Sequence, residues 1–146
     1  MKGNIGAVQE HDFDTLTGLW EASVRATHTF LKETDIVWLR PRIRNHYLIH
    51  VELHAFRDEH HAILGFVGVA NAKIEMLFIA PQAQGKGIGK QLLQYAIHHM
   101  KAVELDVNEQ NPDAVGFYQH QGFEIVGRSP LDGQGQPFPL LHMRLK

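Results

Sequence analysis

A mixed α/β sheet with helices packed on its faces is what this sequence predicts, on three observations. Short β segments follow one another through the middle of the chain. A glycine-rich turn then opens an amphipathic helix, and strand and helix alternate from there to the end. Ile5, Ala7 and Val8 form a short edge strand. From Phe13 the spacing turns helical, with Phe13, Leu16, Leu19, Trp20, Val24 and Thr27 on one face; Asp12 or Asp14 supplies the N-cap, and Gly18 weakens the interior. A second helical stretch covers Asp35 to Arg44, interrupted or ended by Pro41.

Tyr47, Ile49, Val51 and Leu53 alternate with Leu48, His50, Glu52 and His54, the pattern of a half-buried strand. Arg57 to His60 reads as a hairpin turn. His61 to Ala70 is apolar enough for a central strand, with Gly65 and Gly68 leaving room for close neighbours. Asn71 to Lys73 turns the chain again, and Lys73 to Ala80 forms a strand ending at Pro81. After the turn Gln84 to Gly89, a helix carries Leu92, Leu93, Ala96, Ile97 and Met100 on one side. Val103 to Val107 is a strand. Asn111-Pro112-Asp113 opens a helix that Gly122 stops. Phe123 to Arg128 and Phe138 to Leu145 are closing strands around the polar turn Asp132 to Gln136.

The 146 residues suit a single domain, with 44% apolar and 21% charged side chains. A net charge of -2 argues against a surface built to neutralise nucleic acid. The absence of cysteine excludes disulfides, thiolate metal sites and a cysteine nucleophile, and is compatible with a reducing compartment. The longest apolar stretch, Ala62 to Ala70, is too short to span a bilayer, and the start does not read as a signal peptide. The expectation is a soluble cytoplasmic protein, monomer or homodimer, with neither nucleic acid nor membrane as partner.

Gln84-Gly85-Lys86-Gly87-Ile88-Gly89 lies between a strand and a helix start. Glycines there let a ligand approach the backbone, and free N–H groups at the positive end of the helix favour a phosphate or pyrophosphate. Lys86 and Lys90 add charge. A tight turn using glycines for geometry alone explains the pattern as well. Two familiar phosphate loops fail: a Walker loop would need Gly at Gln84 and a hydroxyl at Gln91, and a dinucleotide fingerprint would need Gly at Lys90.

The segment from Leu77-Phe78-Ile79-Ala80-Pro81 through Gln84 to Gly89 resembles the acyl-CoA signature of the GNAT superfamily of N-acetyltransferases, whose core reads Gln/Arg-x-x-Gly-x-Gly/Ala. Asn108 to Tyr118, followed by Gly122-Phe123, resembles the second signature of that family in order and spacing. Trp20, Thr27-His28 and Pro139-Leu140-Leu141 are similar to small bacterial members. The resemblance implies a mostly antiparallel sheet with two splayed strands, Lys73 to Ala80 and Val103 to Val107, and acetyl-CoA bound between them. It implies that the backbone of Leu77, Phe78 and Ile79 pairs with the pantetheine arm. The pyrophosphate would rest on Gln84, Gly85, Lys86, Gly87, Ile88, Gly89 and Lys90. Gln84 departs from the Arg that the family commonly carries and keeps a donor without the charge.

By the same resemblance Asn111 hydrogen-bonds the pantetheine arm, although it can equally cap the helix that follows. Tyr118 matches the general acid that protonates the departing thiolate and touches the coenzyme, although on its own it reads as a core tyrosine beside Phe117. An alkyl ammonium must lose a proton before it attacks, and Glu75 and Asp106, on the two flanking strands, are the candidate bases. Glu75 is placed first, since the shorter Asp106 would need a bridging water. Each is also explained as a charge on the open face of a strand.

No metal is expected. His46, His50 and His54 would sit on one strand face roughly 13 Å apart, too far to share an ion. His28 either lines the acceptor cleft or caps its helix as a cation. Trp20, Phe30, Trp38 and Phe138 are core or an apolar rim, and Glu21, Glu33, Asp35 and Glu52 attract an amine or are merely solvated. The expected function is transfer of acetyl from acetyl-CoA directly to a primary amine. A catalytically inactive acyl-CoA sensor of the same fold is the alternative, and a structural dimer with an empty glycine turn is a weaker one.

Overall fold

The computed structural model describes residues 2–146. Seven strands form one sheet: β1 (Gly3–Ala7), β2 (Glu52–Asp58), β3 (Ile63–Ala70), β4 (Lys73–Ile79), β5 (Glu104–Asn108), β6 (Phe123–Ser129) and β7 (Leu140–Leu145), in the order β1-β2-β3-β4-β5-β7-β6. Every pairing is antiparallel except that of β4 with β5. The helices are α1 (Phe13–Thr27), α2 (Glu33–Arg42), α3 (Ile88–His99) and α4 (Pro112–His120).

Both α3 and α4 connect parallel strands and therefore cover the same face of the sheet. The Phe117 ring comes within 3.7 Å of the Cβ position of Gly89, so the two helices meet there. On the opposite face α1 packs on β3 and β4. The expected tight approach in β3 is present. A Cβ at Gly65 would lie 2.8 Å from Ile79 and 3.0 Å from Leu92, and one at Gly68 would lie 2.8 Å from Val51. A side chain at Gly65 would push β3 and α3 apart, and one at Gly68 would push β3 away from the start of β2, in a close-packed core.

Two irregularities shape the space between β4 and β5. Gly68 pairs with Met76 and Val69 with Ile74, so Glu75 is an extra residue in β4, a bulge. It shifts the side-chain alternation and turns Lys73 to the same face as Met76 and Phe78, the face that α1 covers. Second, β4 and β5 pair only at Lys73–Glu104 and Ile74–Leu105. Beyond those pairs they part, as the resemblance implies, and the β5-facing edge of β4 from Met76 to Ile79 has no strand beside it.

Of the strand expected over Tyr47–His54 only the last three residues, Glu52 to His54, are in a strand. A π-type turn covers Ile43–Tyr47, a 3-10 turn covers Leu48–His50, and β2 begins at Glu52. The apolar residues that anchor this stretch are Ile36, Leu39, Ile43 and Leu48, spaced three, four and five apart. That is helical spacing with a wide last turn, whereas Ile49 is 55% exposed. The alternating pattern is a coincidence of one apolar residue on each side of Leu48. Consequently His46 and His50 lie on helical turns, and only His54 is on a strand. Among the described residues no group of three or more His, Asp or Glu side chains is placed to hold a metal ion.

The remaining expectations differ by one or two residues at element ends. Asp12 does not cap α1 with its side chain. It accepts instead from the Gln9 backbone at 2.9 Å and from Arg57 at 3.0 Å, tying the short turn before α1 to β2. Glu21 and Glu33 are held by Arg25, and Glu21 also by Arg40, so these two carboxylates fasten α1 to α2. No helix among the described residues is long and apolar enough to cross a membrane.

Candidate active site

Where β4 and β5 part, a cleft of about 840 Å³ opens, within the range of small-molecule sites. β4 lines it from Lys73 to Phe78 and β5 from Leu105 to Asn108; Asn111, Ala114 and Tyr118 come from α4 and the segment before it. The far wall is made of Trp20 and Val24 on α1 and His28 just after it, together with residues of α2 and the turns after it, including His46 and His50. The loop between β6 and β7 closes the outer side. Gln134 Nε2 donates to the Tyr47 hydroxyl at 2.7 Å, and Phe138 packs on Phe30 with ring centroids 5.4 Å apart.

Glu75, Leu77, Phe78, Asp106, Asn111 and Tyr118 all line this one cleft. Ile79, Gln84, Gly85, Lys86, Gly87, Ile88, Gly89 and Lys90 do not. Gly85 and Gly87 take φ of 76° and 82°, the left-handed region, and nothing lies within 4 Å of their Cβ positions. Gly87 is the N-cap of α3, where no side chain satisfies the first N–H groups. Those donors, the exposed Lys86 and Lys90, and the unpaired β4 edge make a surface that fits an extended ligand with an anionic end. Ile88 is buried beneath the turn and anchors it. Gln84 bonds the Ile79 carbonyl at 3.4 Å, bracing the strand end.

Asn111 caps α4, its Oδ1 accepting from the Ala114 N–H at 3.3 Å. Its amide nitrogen is left over for a ligand. Burial pushes the Tyr118 phenol well above its ordinary pKa, and its ring packs against Phe117 and Phe123. Among the described residues no hydrogen bond engages its hydroxyl, so the proton is both retained and uncommitted. His28 lines the cleft, and burial lowers its pKa, which argues against a cationic helix cap.

The two candidate bases differ. Glu75, at the bulge, is exposed and takes no hydrogen bond or ion pair among the described residues. Asp106 is clamped: Lys73 Nζ lies 2.7 Å from its Oδ2 and His142 Nδ1 lies 2.6 Å from its Oδ1. Burial alone would raise the pKa of Asp106, but the bonds from Lys73 and His142 outweigh it and hold the carboxyl below its usual range. The Lys73 ammonium is correspondingly raised. Sequence reasoning does not reach Lys73, Asn108, Ser129 or His142. Lys73 needs the bulge to reach this face, His142 the β5–β7 register, and neither is written in local spacing. Asn108 lines the cleft with a buried Oδ1 that has no partner; only its place in the second signature hints at it.

Fold and cleft together have the architecture of an acyl-CoA-dependent acyltransferase: a mixed sheet that splays open between β4 and β5, a cleft at the splay and a glycine turn at a helix start. The chain belongs to the GNAT family of acetyltransferases, whose acetyltransferase (GNAT) domain model matches residues 26–146. It is 34% identical over 140 residues to the peptidyl-lysine N-acetyltransferase YjaB of Salmonella typhimurium, covering 96% of both chains. The solution structure of apo YjaB from Escherichia coli superposes with a TM-score of 0.89 at 34% identity, over 99% of this chain and 97% of that one. A PaiA N-acetyltransferase from Thermoplasma acidophilum, crystallised with coenzyme A, shares the fold at a TM-score of 0.79 and 22% identity, with full coverage of both chains.

Proposed function

We propose that residues 1–146 act as one catalytic domain that transfers acetyl from acetyl-CoA directly to a primary amine, with the side chain of a peptidyl lysine as the acceptor class. The observation that carries this reading is the convergence of Glu75, Asp106, Asn111 and Tyr118 on the cleft where β4 and β5 separate. The acceptor class rests on the likeness to the peptidyl-lysine acetyltransferases and on the carboxylates Asp35, Glu75, Asp106 and Asp132 that line the cleft.

Acetyl-CoA, when bound, supplies an activated thioester. The backbone edge of Leu77, Phe78 and Ile79 takes its extended arm, the turn from Gln84 to Lys90 its pyrophosphate, and the Asn111 amide a carbonyl of the arm. A lysine amine has an ordinary pKa of about 10.4 and arrives protonated. Glu75, the uncommitted carboxylate, removes that proton directly or through a water, while Asp106 stays ionised as a fixed anion beside the amine. Tyr118 keeps its proton at neutral pH and offers it to the sulfur as charge develops there. Trp20 and Phe138 shield the cleft from water and limit hydrolysis.

The test is a transfer assay with acetyl-CoA and Nα-acetyl-lysinamide, read by mass spectrometry, beside calorimetric titration with acetyl-CoA and CoA. Binding of both nucleotides and acetylation at Nζ support the reading. No binding of either at millimolar concentration sinks it.

A further inference from the structure

Asp106 is the end of a chain of hydrogen bonds that crosses three strands. Ser129 Oγ on β6 lies 2.6 Å from His142 Nε2 on β7, and His142 Nδ1 lies 2.6 Å from Asp106 Oδ1 on β5. The sheet register builds it: Asp106 pairs directly with His142 across β5 and β7, and Leu140 pairs with Ser129 across β7 and β6. Neither His142 nor Ser129 lines the cleft, whereas Asp106 does. The chain therefore acts on the cleft through Asp106 alone.

We propose that His142 and Ser129 are positioning residues of the acceptor site, which orient the Asp106 carboxylate so that its remaining lone pairs receive the ammonium of the incoming amine. The proposal rests on the reading of Asp106 as the fixed anion beside the acceptor. An ionised carboxylate only accepts, so the Nδ1 bond requires the imidazole proton on Nδ1. In a neutral ring Nε2 is then an acceptor, and the Ser129 hydroxyl is the donor that fills it. Asp106 thus sets the tautomer, Ser129 fills the acceptor left at Nε2, and His142 aims the carboxylate. Lys73 fixes the second oxygen from β4.

This clamp has a chemical consequence. A carboxylate has about four lone-pair sites, and the clamp uses one on each oxygen. The remaining sites are fixed in direction, so an N–H donor meets them without reorganising the side chain. A free Asp on a strand end would have to order itself for every acceptor. The arrangement also separates tasks: Asp106, acidified and anchored, binds charge, which leaves proton removal to the unclamped Glu75.

The experiment compares wild type with His142→Ala, His142→Asn and Ser129→Ala, with Nα-acetyl-lysinamide as acceptor and calorimetry for acetyl-CoA. His142→Ala raises the acceptor KM by roughly tenfold, since a small misplacement of a binding group suffices, and leaves the acetyl-CoA Kd within about twofold. His142→Asn, whose Nδ2–H can stand in for Nδ1–H, restores most of the loss, and Ser129→Ala gives a smaller loss of the same kind. In an Asp106→Asn background, His142→Ala adds nothing, because residues acting through one partner are not additive. An acceptor KM unchanged in His142→Ala, or an effect that adds in full to that of Asp106→Asn, overturns the proposal. A purely structural role would lower the melting temperature without the KM split or the rescue, and also counts against it.

One readout does not depend on turnover. A short Nδ1–H bond to a carboxylate gives a downfield imidazole proton resonance, which Asp106→Asn should abolish. Its absence from wild type overturns the proposal whatever the kinetics. With the resonance present, a wild type that binds acetyl-CoA but acetylates no amine refutes the acceptor reading of the cleft, and with it the purpose assigned to the clamp.

Discussion

The glycine turn and the cleft wall proposed for the acceptor are built in opposite ways. The turn uses six consecutive residues, Gln84 to Gly89, and presents backbone: Gly85 and Gly87 are left-handed with open space at their Cβ positions. The wall presents the side chains of Lys73 and Asp106, backed by His142 and Ser129 from two further strands, each tied to the next at 2.6–2.7 Å. A backbone site depends on local conformation and so is written in consecutive residues. A side-chain site depends on register, and a shift of one residue in any strand dismantles it.

Tyr118 belongs to neither half by construction, and replacing it is the sharpest way to break the comparison. Tyr118→Phe should lower kcat by roughly 10²–10⁴-fold, the usual contribution of a general acid, with the acetyl-CoA Kd nearly unchanged. Its ring contacts with Phe117 and Phe123 survive the change, so folding is not expected to suffer. Because burial holds the phenol pKa up, no alkaline fall in kcat below about pH 10, its ordinary value, should trace to this residue. A Kd that worsens as much as kcat falls would place Tyr118 with the coenzyme half instead.

The two carboxylates come next. Glu75→Gln should lower kcat by about 10²-fold with little change in the acceptor KM, the signature of lost proton transfer. Asp106→Asn should act mainly on the acceptor KM, by about tenfold, because it removes an anion from the binding site. Steady-state kinetics on both variants at saturating acetyl-CoA checks the split. Reversed effects would make the clamped carboxylate the base and the bulge residue the anchor.

Much of the coenzyme half is legible in the sequence. The glycine spacing, the helix that follows it, and Asn111-Pro112 opening α4 are each local signals, and each element stands where those signals put it. The acceptor half is legible only as a pair of carboxylates. Lys73 looks like a turn residue in the sequence, and it reaches the cleft only because the bulge at Glu75 turns it over. The alternation around Tyr47 misleads because Pro41 reads as a terminator. Helical winding in fact continues past it into a π-type turn, followed by a 3-10 turn that buries Leu48 and exposes Ile49. Eight residues of alternating pattern carry less weight than the anchoring of Ile36, Ile43 and Leu48 in the core.

The turn can be tested on its own terms. Gly87→Val forces a β-branched residue into φ near 82°, at a conformational cost of about 1–2 kcal/mol. Nothing stands near enough to clash, so the cost is backbone strain alone. The expected result is an acetyl-CoA Kd weakened by roughly tenfold, the equivalent of about 1.4 kcal/mol, with kcat at saturation preserved. Gly87→Asn, which tolerates the left-handed region, should lose less. Equal losses in the two variants would mean that the side chain, not the strain, obstructs the ligand.

The smallest expected effect concerns how dry the side-chain half is. Burial lowers the pKa of His28, so the folded protein favours its neutral ring. Below about pH 6.5 the unfolded chain binds a proton at this position that the folded chain refuses. Stability therefore falls as pH drops from there, and stops falling once the pH is below the folded-state pKa. His28→Gln removes that dependence and keeps a polar group near Thr27, to which the ring now bonds at 2.8 Å. Melting curves at pH 7.5 and 5.5 should show wild type losing a few more degrees than the variant. Parallel losses would mean that water reaches the ring freely. The cleft wall would then be as solvated as the glycine turn, and the clamp on Asp106 would have to work against bulk water rather than in a sheltered site.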